Sequence, residues 1–477
     1  MKQGLSGGLT RFLSETECER IHTASLDILE ERGVLCNSPA LLRVFARGKA
    51  QVDEDTRMVR IPGDLIDWAV RTAPKSFTFF ARDRELDLAL EQPRVYYGMG
   101  GSAVPYFWDF EKRTLRDPVK ADVAAATRLG HALPNVDFVM SLAAAGDTPE
   151  HLHYVHEYHA ILSNTTKPVI YSAPSRQYAA AFLEMAAAAS GGESELRARP
   201  SVMLFTQPVS PLQIGPYNEG MIDFAASGVP ILYSPGAMMG ATSPATLAGA
   251  LVQGNAENLA GIVLSQLLRP GTPIVYGPHT PVMDMVTTRC TYAGTEQALA
   301  RAAMAQLAHY YGLPSFSTGA GCDSWAVDAQ AAAEATMGIF LNALSGLTLT
   351  QTMGTMASGT FGSLEMLVVC DEVAAMAKRV LRGVEVSQES LAVDVIKQVG
   401  PGGHFLDHDH TVRTFRREFF FPSLFERSGL TAWQAQNDRD LVGRAHAKVS
   451  EVLEGGTAPV TTSSQRALDT CLKRLIG

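Results

Sequence analysis

No two cysteines of this chain stand in a CxxC spacing, although it holds six: Cys18, Cys36, Cys290, Cys322, Cys370 and Cys471. Scattered in this way they argue against a disulfide framework and a zinc site, and fit reduced thiols in a cytoplasmic protein. An uninterrupted apolar run of membrane-spanning length is also missing. The most apolar long stretch, residues 332–357, is broken by Glu334, Asn342 and several Thr and Gly residues. It reads as a buried helix followed by a buried strand. The opening MKQGLSGGLTRFLSETE has no apolar h-region, so secretion is not expected. Nor is there a basic excess: 40 Lys and Arg stand against 49 Asp and Glu, a formal net charge of -9. Nucleic acid and anionic membranes, which call for a basic patch, are therefore not expected partners.

What is present is a long chain of 477 residues, 46% hydrophobic and 19% charged, the composition of a large globular enzyme. Residues 1–92 read as an N-terminal extension. Ser14 to Glu17 opens a helix with a capping-box pattern, and Ile21, Ala24, Leu26, Ile28 and Leu29 give it an apolar stripe. A second helix begins near Ser38-Pro39, and short strands follow around 52–61 and 76–90.

From Arg94 a unit repeats: a short apolar run, a Gly/Pro/Ser turn, then an amphipathic helix. The runs fall at 95–99, 136–142, 168–172, 202–207, 230–234, 273–277, 314–317 and 347–351. Helical patterns occupy 120–133, 150–162, 178–190, 218–226, 245–268, 295–310, 328–344 and 364–381. Alternation of this kind implies parallel strands joined by right-handed crossovers. Eight units close a barrel, and no dinucleotide fingerprint supports the open-sheet alternative. The expected fold is α/β, a (β/α)8 TIM barrel over 93–383, with a charged, loop-rich C-terminal extension over 384–477 carrying a helix near 438–454.

Barrel chemistry sits where strands run into the following helices. Those positions hold Met99, Gly100, Gly101 and Ser102; residues 143–147; Ala173 and Pro174; Gln207 and Pro208; residues 235–239; Pro278 and His279; residues 319–325; and 353–361. They supply Gly, Ser, Met, aromatics and one Gln, with few acids, Lys or His. No acid pair suits glycoside hydrolysis, and no nucleophile–base arrangement stands out. Such a site holds a substrate while something else brings the reactivity.

Several motifs have bland readings. Gly98-Met99-Gly100-Gly101 reads as a tight turn allowing close approach, not a phosphate loop, since no helix starts there. His153, His156 and His159 share a helix face without the HExxH spacing and read as surface histidines, with metal binding the alternative. Met238-Met239 and Met283 with Met285 are ordinary core filler or a functional patch. Asp407-His408-Asp409-His410 is a capped turn or a metal cluster. No metal site is expected.

Two stretches carry a family resemblance. Residues 319–324 (GAGCDS), with Asp328, Gln330 and Glu334, resemble the end of the seventh strand and the next helix in trimethylamine methyltransferases, the MttB superfamily. Residues 400–406 (GPGGHFL), with His408, His410, Phe415, Arg416, Glu418, Pro422, Leu424 and Arg427, resemble that family's C-terminal signature. The similarity runs over nearly the whole length.

The resemblance implies a barrel that moves a methyl group from a methylated amine to the Co(I) of a corrinoid (cobalamin) carried by a separate protein docked over the mouth. Founding members carry pyrrolysine close to where Gly321 and Cys322 stand here, whereas this sequence has only standard residues. A quaternary ammonium leaves as a neutral amine and needs no proton, so a betaine-like quaternary amine is the expected substrate. Caging that cation calls for aromatic faces, and the candidates are Tyr97, Phe205, Tyr276, Trp325 and Phe361, with Met99 and Met238 beside them. Gln207 and His279 are candidate donors to a substrate carboxylate, together with backbone N–H groups of the turn at 98–102. Gln207 and Asp323 are the candidate catalytic residues; Gly100, Gly101, Gly319, Gly321 and Cys322 are candidate contacts to the corrinoid. A tertiary methylamine, with Asp323 or Cys322 standing in for pyrrolysine, is the alternative substrate reading. A non-catalytic betaine-sensing barrel is the alternative outside enzymes. Self-association is expected from the long C-terminal extension.

Overall fold

The computed structural model describes residues 4–101, 104–435, 440–455 and 459–476. Near the N-terminus, Ser14 closes the capping box: its side chain accepts from the Glu17 amide, and the Glu17 carboxylate accepts from the Ser14 amide at 2.8 Å. The helix Glu15–Glu31 then lies against the barrel. A small sheet is built from Gln51–Asp53, Met58–Arg60, Val34–Cys36 and a strand of the barrel's own loops, Gln213–Ile214. That shared strand ties the extension to the barrel.

Eight parallel strands form the barrel wall. They are β1 (Arg94–Met99), β2 (Phe138–Val139), β3 (Val169–Ser172), β4 (Val202–Thr206), β5 (Ile231–Tyr233), β6 (Ile274–Tyr276), β7 (Phe316–Thr318) and β8 (Leu349–Met353). Neighbours pair in that order, β8 pairs with β1, and a parallel bridge between Tyr276 and Ser315 joins β6 to the start of β7, closing the ring. Around it run α1 (Lys120–Ala132), α2 (His153–Asn164), α3 (Arg176–Ser190), α4 (Gly220–Ser227), α5 (Leu247–Leu268), α6 (Thr295–Tyr311), α7 (Ala329–Ser345) and α8 (Leu364–Leu381). The fold is the (β/α)8 barrel expected from the repeat.

Side chains alternate along each strand, and every strand sends at least one large residue into the interior. Tyr96, Phe138, Ile170, Met203, Leu232, Val275, Phe316 and Leu349 form one buried cluster with Phe79, Leu88 and Leu90. The last three belong to the hairpin Phe77–Phe79 and Leu88–Leu90. It plugs the end of the barrel where strands begin, as bonds from Phe80 to Pro200 and from Arg82 to Thr166 indicate.

That phase corrects three expectations. With Tyr96 facing in, Tyr97 and Met99 face out into the helical layer. The Tyr97 ring lies 5.6 Å from the Lys378 ammonium of α8, and Met99 packs against Gly130 of α1, where a Cβ would stand 2.0 Å from its sulfur. Tyr276 also points outward, because Val275 takes the inward position; its hydroxyl donates to Asn255 of α5 at 2.8 Å. None of the three touches the barrel interior.

At the C-terminal mouth, the loop after β1 and the loop after β8 share a four-stranded cap of Thr355–Met356, Phe361–Gly362, Tyr106–Asp109 and Thr114–Arg116. Ser102 of the β1 loop lies outside the described residues. Beyond α8 the helix Leu441–Glu454 packs on α8 and α1, and Thr462–Ile476 packs on α3 and α2; Asp438, expected near the start of the former, lies outside the described residues. Between residues 382 and 435, Leu424 alone is buried, while Val384, Leu406, Phe419 and Leu430 are well exposed.

Candidate active site

The C-terminal strand ends surround a cavity of about 270 Å³. Its floor is set by strand alternation: Phe205 and Phe316 face inward from β4 and β7 and meet edge-to-face at 5.9 Å. Above them stand Ser172, Gln207, Thr318 and Gln351, and the rim adds Tyr154 from α2, Tyr217 from the β4 loop and Tyr292 from the β6 loop. Burial pushes the Tyr154 and Tyr292 phenols up to about 12, so both stay neutral. Among the described residues, no Asp, Glu, Lys or Arg side chain lines the cavity. Five aromatic rings and uncharged amides and hydroxyls make a surface suited to a cation without a counter-charge of its own.

Gln207 and His279 meet here, with Nε2 atoms 3.1 Å apart. Burial, helped by the buried Arg301 guanidinium, pushes the imidazole down to about 4 and keeps it neutral. Ser234 fixes its tautomer. The Ser234 hydroxyl donates to the Gly277 carbonyl at 2.6 Å, so it accepts from Nδ1–H of His279 at 3.1 Å. Nε2 is then a lone pair that accepts from the Gln207 amide. This corrects the expectation that His279 donates to a substrate: both its nitrogens are engaged, and its effect is to orient Gln207, whose second N–H and carbonyl oxygen are not used by this bond.

Asp323 stands behind the cavity wall. Its carboxylate accepts from the Tyr292 amide at 2.6 Å, the Ala293 amide at 3.1 Å and the Ser358 hydroxyl at 2.6 Å. Arg301, fully buried and with its guanidinium pushed down to about 10 by desolvation, donates to the Tyr292 carbonyl at 3.0 Å. Together they pin the loop that carries Tyr292. Asp323 was expected to act on substrate, and its position makes it a clamp.

Of the remaining candidates, Gly101 lines the cavity. Gly100 has φ +68°, and a Cβ there would stand 2.1 Å from the Ser141 carbonyl. The amides of Gly319, Ala320 and Gly321 converge on Thr352 Oγ1 at 3.1, 3.1 and 2.8 Å. Cys322 is buried with its thiol 3.3 Å from Met356 sulfur, and burial pushes its pKa up, so it stays protonated. Phe361 is buried between Trp108 and Trp325 in the cap, and half-exposed Trp325 lies under the Arg289 guanidinium at 5.2 Å. Met238 is half-buried on the β5 loop. None of Cys322, Met238, Trp325 and Phe361 lines the cavity. The α2 histidines have separate partners, His156 with Lys120 and His159 with Asp469, and His408 caps the helix Asp409–Glu418.

Tyr154, Tyr217 and Tyr292 were missed because they lie on a helix and on loops, beyond the reach of strand periodicity. Tyr154 had one available signal, an aromatic ring among the histidines at the start of α2.

The profile of the family described as Trimethylamine methyltransferase (MTTB) matches residues 6–474. This chain belongs to the trimethylamine methyltransferase family. It is 37% identical over 455 residues to a trimethylamine methyltransferase MttB of Desulfitobacterium hafniense (strain DSM 10664 / DCB-2), covering 94% of this chain and 90% of that one. It is 31% identical over 458 residues to a glycine betaine methyltransferase of Desulfitobacterium hafniense (strain Y51), covering 94% and 93%. In structure it resembles the Methanosarcina barkeri monomethylamine methyltransferase MtmB, with a TM-score of 0.50, 12% identity and coverage of 96% and 92%. Membership of the MTTB family, with relatives of these names, makes the chain a methyltransferase.

Proposed function

We propose that this member of the family demethylates a quaternary amine of the betaine type and passes the methyl group to the Co(I) of a corrinoid carried by a partner protein. The observation that carries the reading is the uncharged, ring-lined cavity at the mouth. An ammonium bound there gains cation–π contacts of about 0.5–2 kcal/mol each. A quaternary nitrogen takes the C–N electron pair as it departs and leaves as a neutral amine, so no proton donor is required. That agrees with a cavity holding a neutral His279 and a protonated Cys322 behind its wall.

Exposed apolar side chains on the mouth loops favour docking of a flat co-substrate. Tyr217, Trp325, Val209, Met285 and Val286 are exposed on loops after β4, β6 and β7, and a corrin face docked there supplies the reduced cobalt that takes the methyl. The chain's own part is positioning: rings cage the ammonium, Gln207 turns an N–H or its carbonyl oxygen toward the bound molecule, and the pinned Tyr292 loop helps exclude water. Among the described residues no helix is long and apolar enough to cross a membrane, and all six cysteines are unpaired; both are compatible with work in the cytoplasm. The exposed apolar side chains at 384–430 support self-association.

The trimethylamine methyltransferase relatives favour a tertiary amine as the second reading. An assay with cob(I)alamin decides between the two, following loss of the Co(I) absorbance and the demethylated product. With glycine betaine the spectrum is expected to change and dimethylglycine to form, with no turnover of trimethylamine. Turnover of trimethylamine alone overturns the proposal.

A further inference from the structure

We infer that Thr318, Gln351 and Thr355 form the subsite for the non-methyl end of the substrate, a carboxylate-bearing tail, and so set a preference for zwitterionic over simple quaternary amines. This rests on the quaternary-amine reading above.

The three residues line one wall of the cavity, from the ends of β7 and β8. They are 5%, 4% and 2% exposed, and Thr318 Oγ1, Gln351 Oε1 and Thr355 Oγ1 have no hydrogen-bond partner. Buried polar atoms are nearly always paired, and three unpaired ones on one face of a cavity mark where a ligand or ordered water completes them. Across the barrel the situation differs, because both nitrogens of His279 are engaged and Gln207 already gives it one N–H.

All three groups can donate. The two hydroxyls rotate freely, and a half-turn of the Gln351 amide exchanges its oxygen and nitrogen. Gly101 gives that amide room, since a Cβ there would stand 2.6 Å from Gln351 Nε2. Neutral donors suit a zwitterion better than Lys or Arg would, because a protein cation in this wall would repel the ammonium of the same ligand.

The wall is rigid without using these hydroxyls. Thr352, at φ +84°, gathers the amides of Gly319, Ala320 and Gly321. Asn342 Nδ2 donates to the Thr318 carbonyl at 3.0 Å, and the Cys322 amide donates to the Thr355 carbonyl at 3.2 Å. Backbone is held by backbone and side-chain bonds of its own, and the hydroxyls are left for a ligand. A tail seated here directs the ammonium toward Tyr154, Phe205 and Tyr217, which belong to the opposite side of the ring.

The test measures Kd on the full-length chain for glycine betaine and for tetramethylammonium, which lacks the tail. The isosteric variants Thr318→Val, Thr355→Val and Gln351→Met remove one donor each, with thermal melts to verify folding. Each is expected to weaken glycine betaine by about tenfold, the loss of one hydrogen bond to a charged group, and tetramethylammonium by less than about twofold. Equal losses for both ligands, or none for glycine betaine, overturn the subsite while the quaternary-amine reading stands. A wild-type chain that binds neither cation overturns both.

Discussion

The Nε2 atom of His279 accepts a hydrogen bond from Gln207 across 3.1 Å, and this direction depends on a hydroxyl on the far side of the imidazole. Ser234 spends its proton on the Gly277 carbonyl and so takes the Nδ1 proton of His279. Replacing Ser234 by Ala removes that constraint. The imidazole is then free to carry its proton on Nε2, and Gln207 must turn its oxygen inward to meet it. Ser234→Ala is therefore expected to weaken substrate binding roughly tenfold, one misplaced hydrogen bond, with kcat changed much less than KM. Nitrogen NMR of the histidine ring reads the tautomer directly. An unchanged tautomer in the variant would remove Ser234 from this role.

The same imidazole gives the fold a pH dependence. His279 and His131 are both pushed down to about 4 by burial, with Arg301 adding to the first and Lys167 and Arg82 to the second. An unfolded histidine titrates near 6.5, so between about 6.5 and 4 the unfolded chain binds protons that the folded chain refuses. Stability from these groups is complete above pH 6.5 and is lost as pH falls toward 4. For the buried His279 the loss is on the order of 3 kcal/mol. Glu157, whose carboxyl burial pushes up to about 7, acts in the opposite sense over the same range, so the measurement is a comparison: urea melts at pH 7.5 and pH 5 are expected to show a smaller loss of stability in His131→Gln than in the wild type. A slope indifferent to that substitution would assign the effect to other groups.

Much of this architecture was legible because a barrel writes itself as repetition. Eight apolar runs and eight helical patterns survive into the structure as β1–β8 and α1–α8. What the pattern could not carry was the phase of each strand. The runs are apolar on both faces, as buried parallel strands are, so nothing in the sequence around 95–99 says whether Tyr96 or Tyr97 turns inward. The same ambiguity turned Tyr276 inward in the sequence reading, in place of Val275. Phe205 and Gln207 were reached because each stands at a strand end and both lie on the inward side of β4. Tyr154, Tyr217 and Tyr292 come from a helix and two loops, whose course depends on tertiary contacts such as the Asp323 clamp.

The two kinds of tyrosine position can be separated by experiment. Tyr276 is fully buried, and its hydroxyl serves Asn255, which in turn reaches Ser25 and Tyr311 at 3.0 and 2.9 Å. Tyr276→Phe leaves the Asn255 oxygen short of a donor and is expected to cost about 1–3 kcal/mol of stability, with KM unchanged. Phe205→Ala, which opens the cavity floor, is expected to raise KM well beyond its effect on folding. A KM shift in Tyr276→Phe would contradict the outward orientation.

Asp323 offers the sharpest contrast between the sequence reading and the structure. As an acid or base acting on substrate, its loss would alter the pH–rate profile. As the clamp observed, it accepts from two backbone amides and from Ser358 with both oxygens. Asp323→Asn places an N–H against one of those donors and removes the charge that strengthens the others. The Tyr292 loop is then expected to loosen, costing about 1.5–3 kcal/mol of stability and raising KM as one wall of the cage moves. The pH–rate profile is expected to keep its wild-type shape, because no proton passes through this carboxylate. If the variant instead holds KM constant while an ionisation vanishes from the profile, Asp323 reaches the substrate in the working enzyme and the clamp is not its principal role.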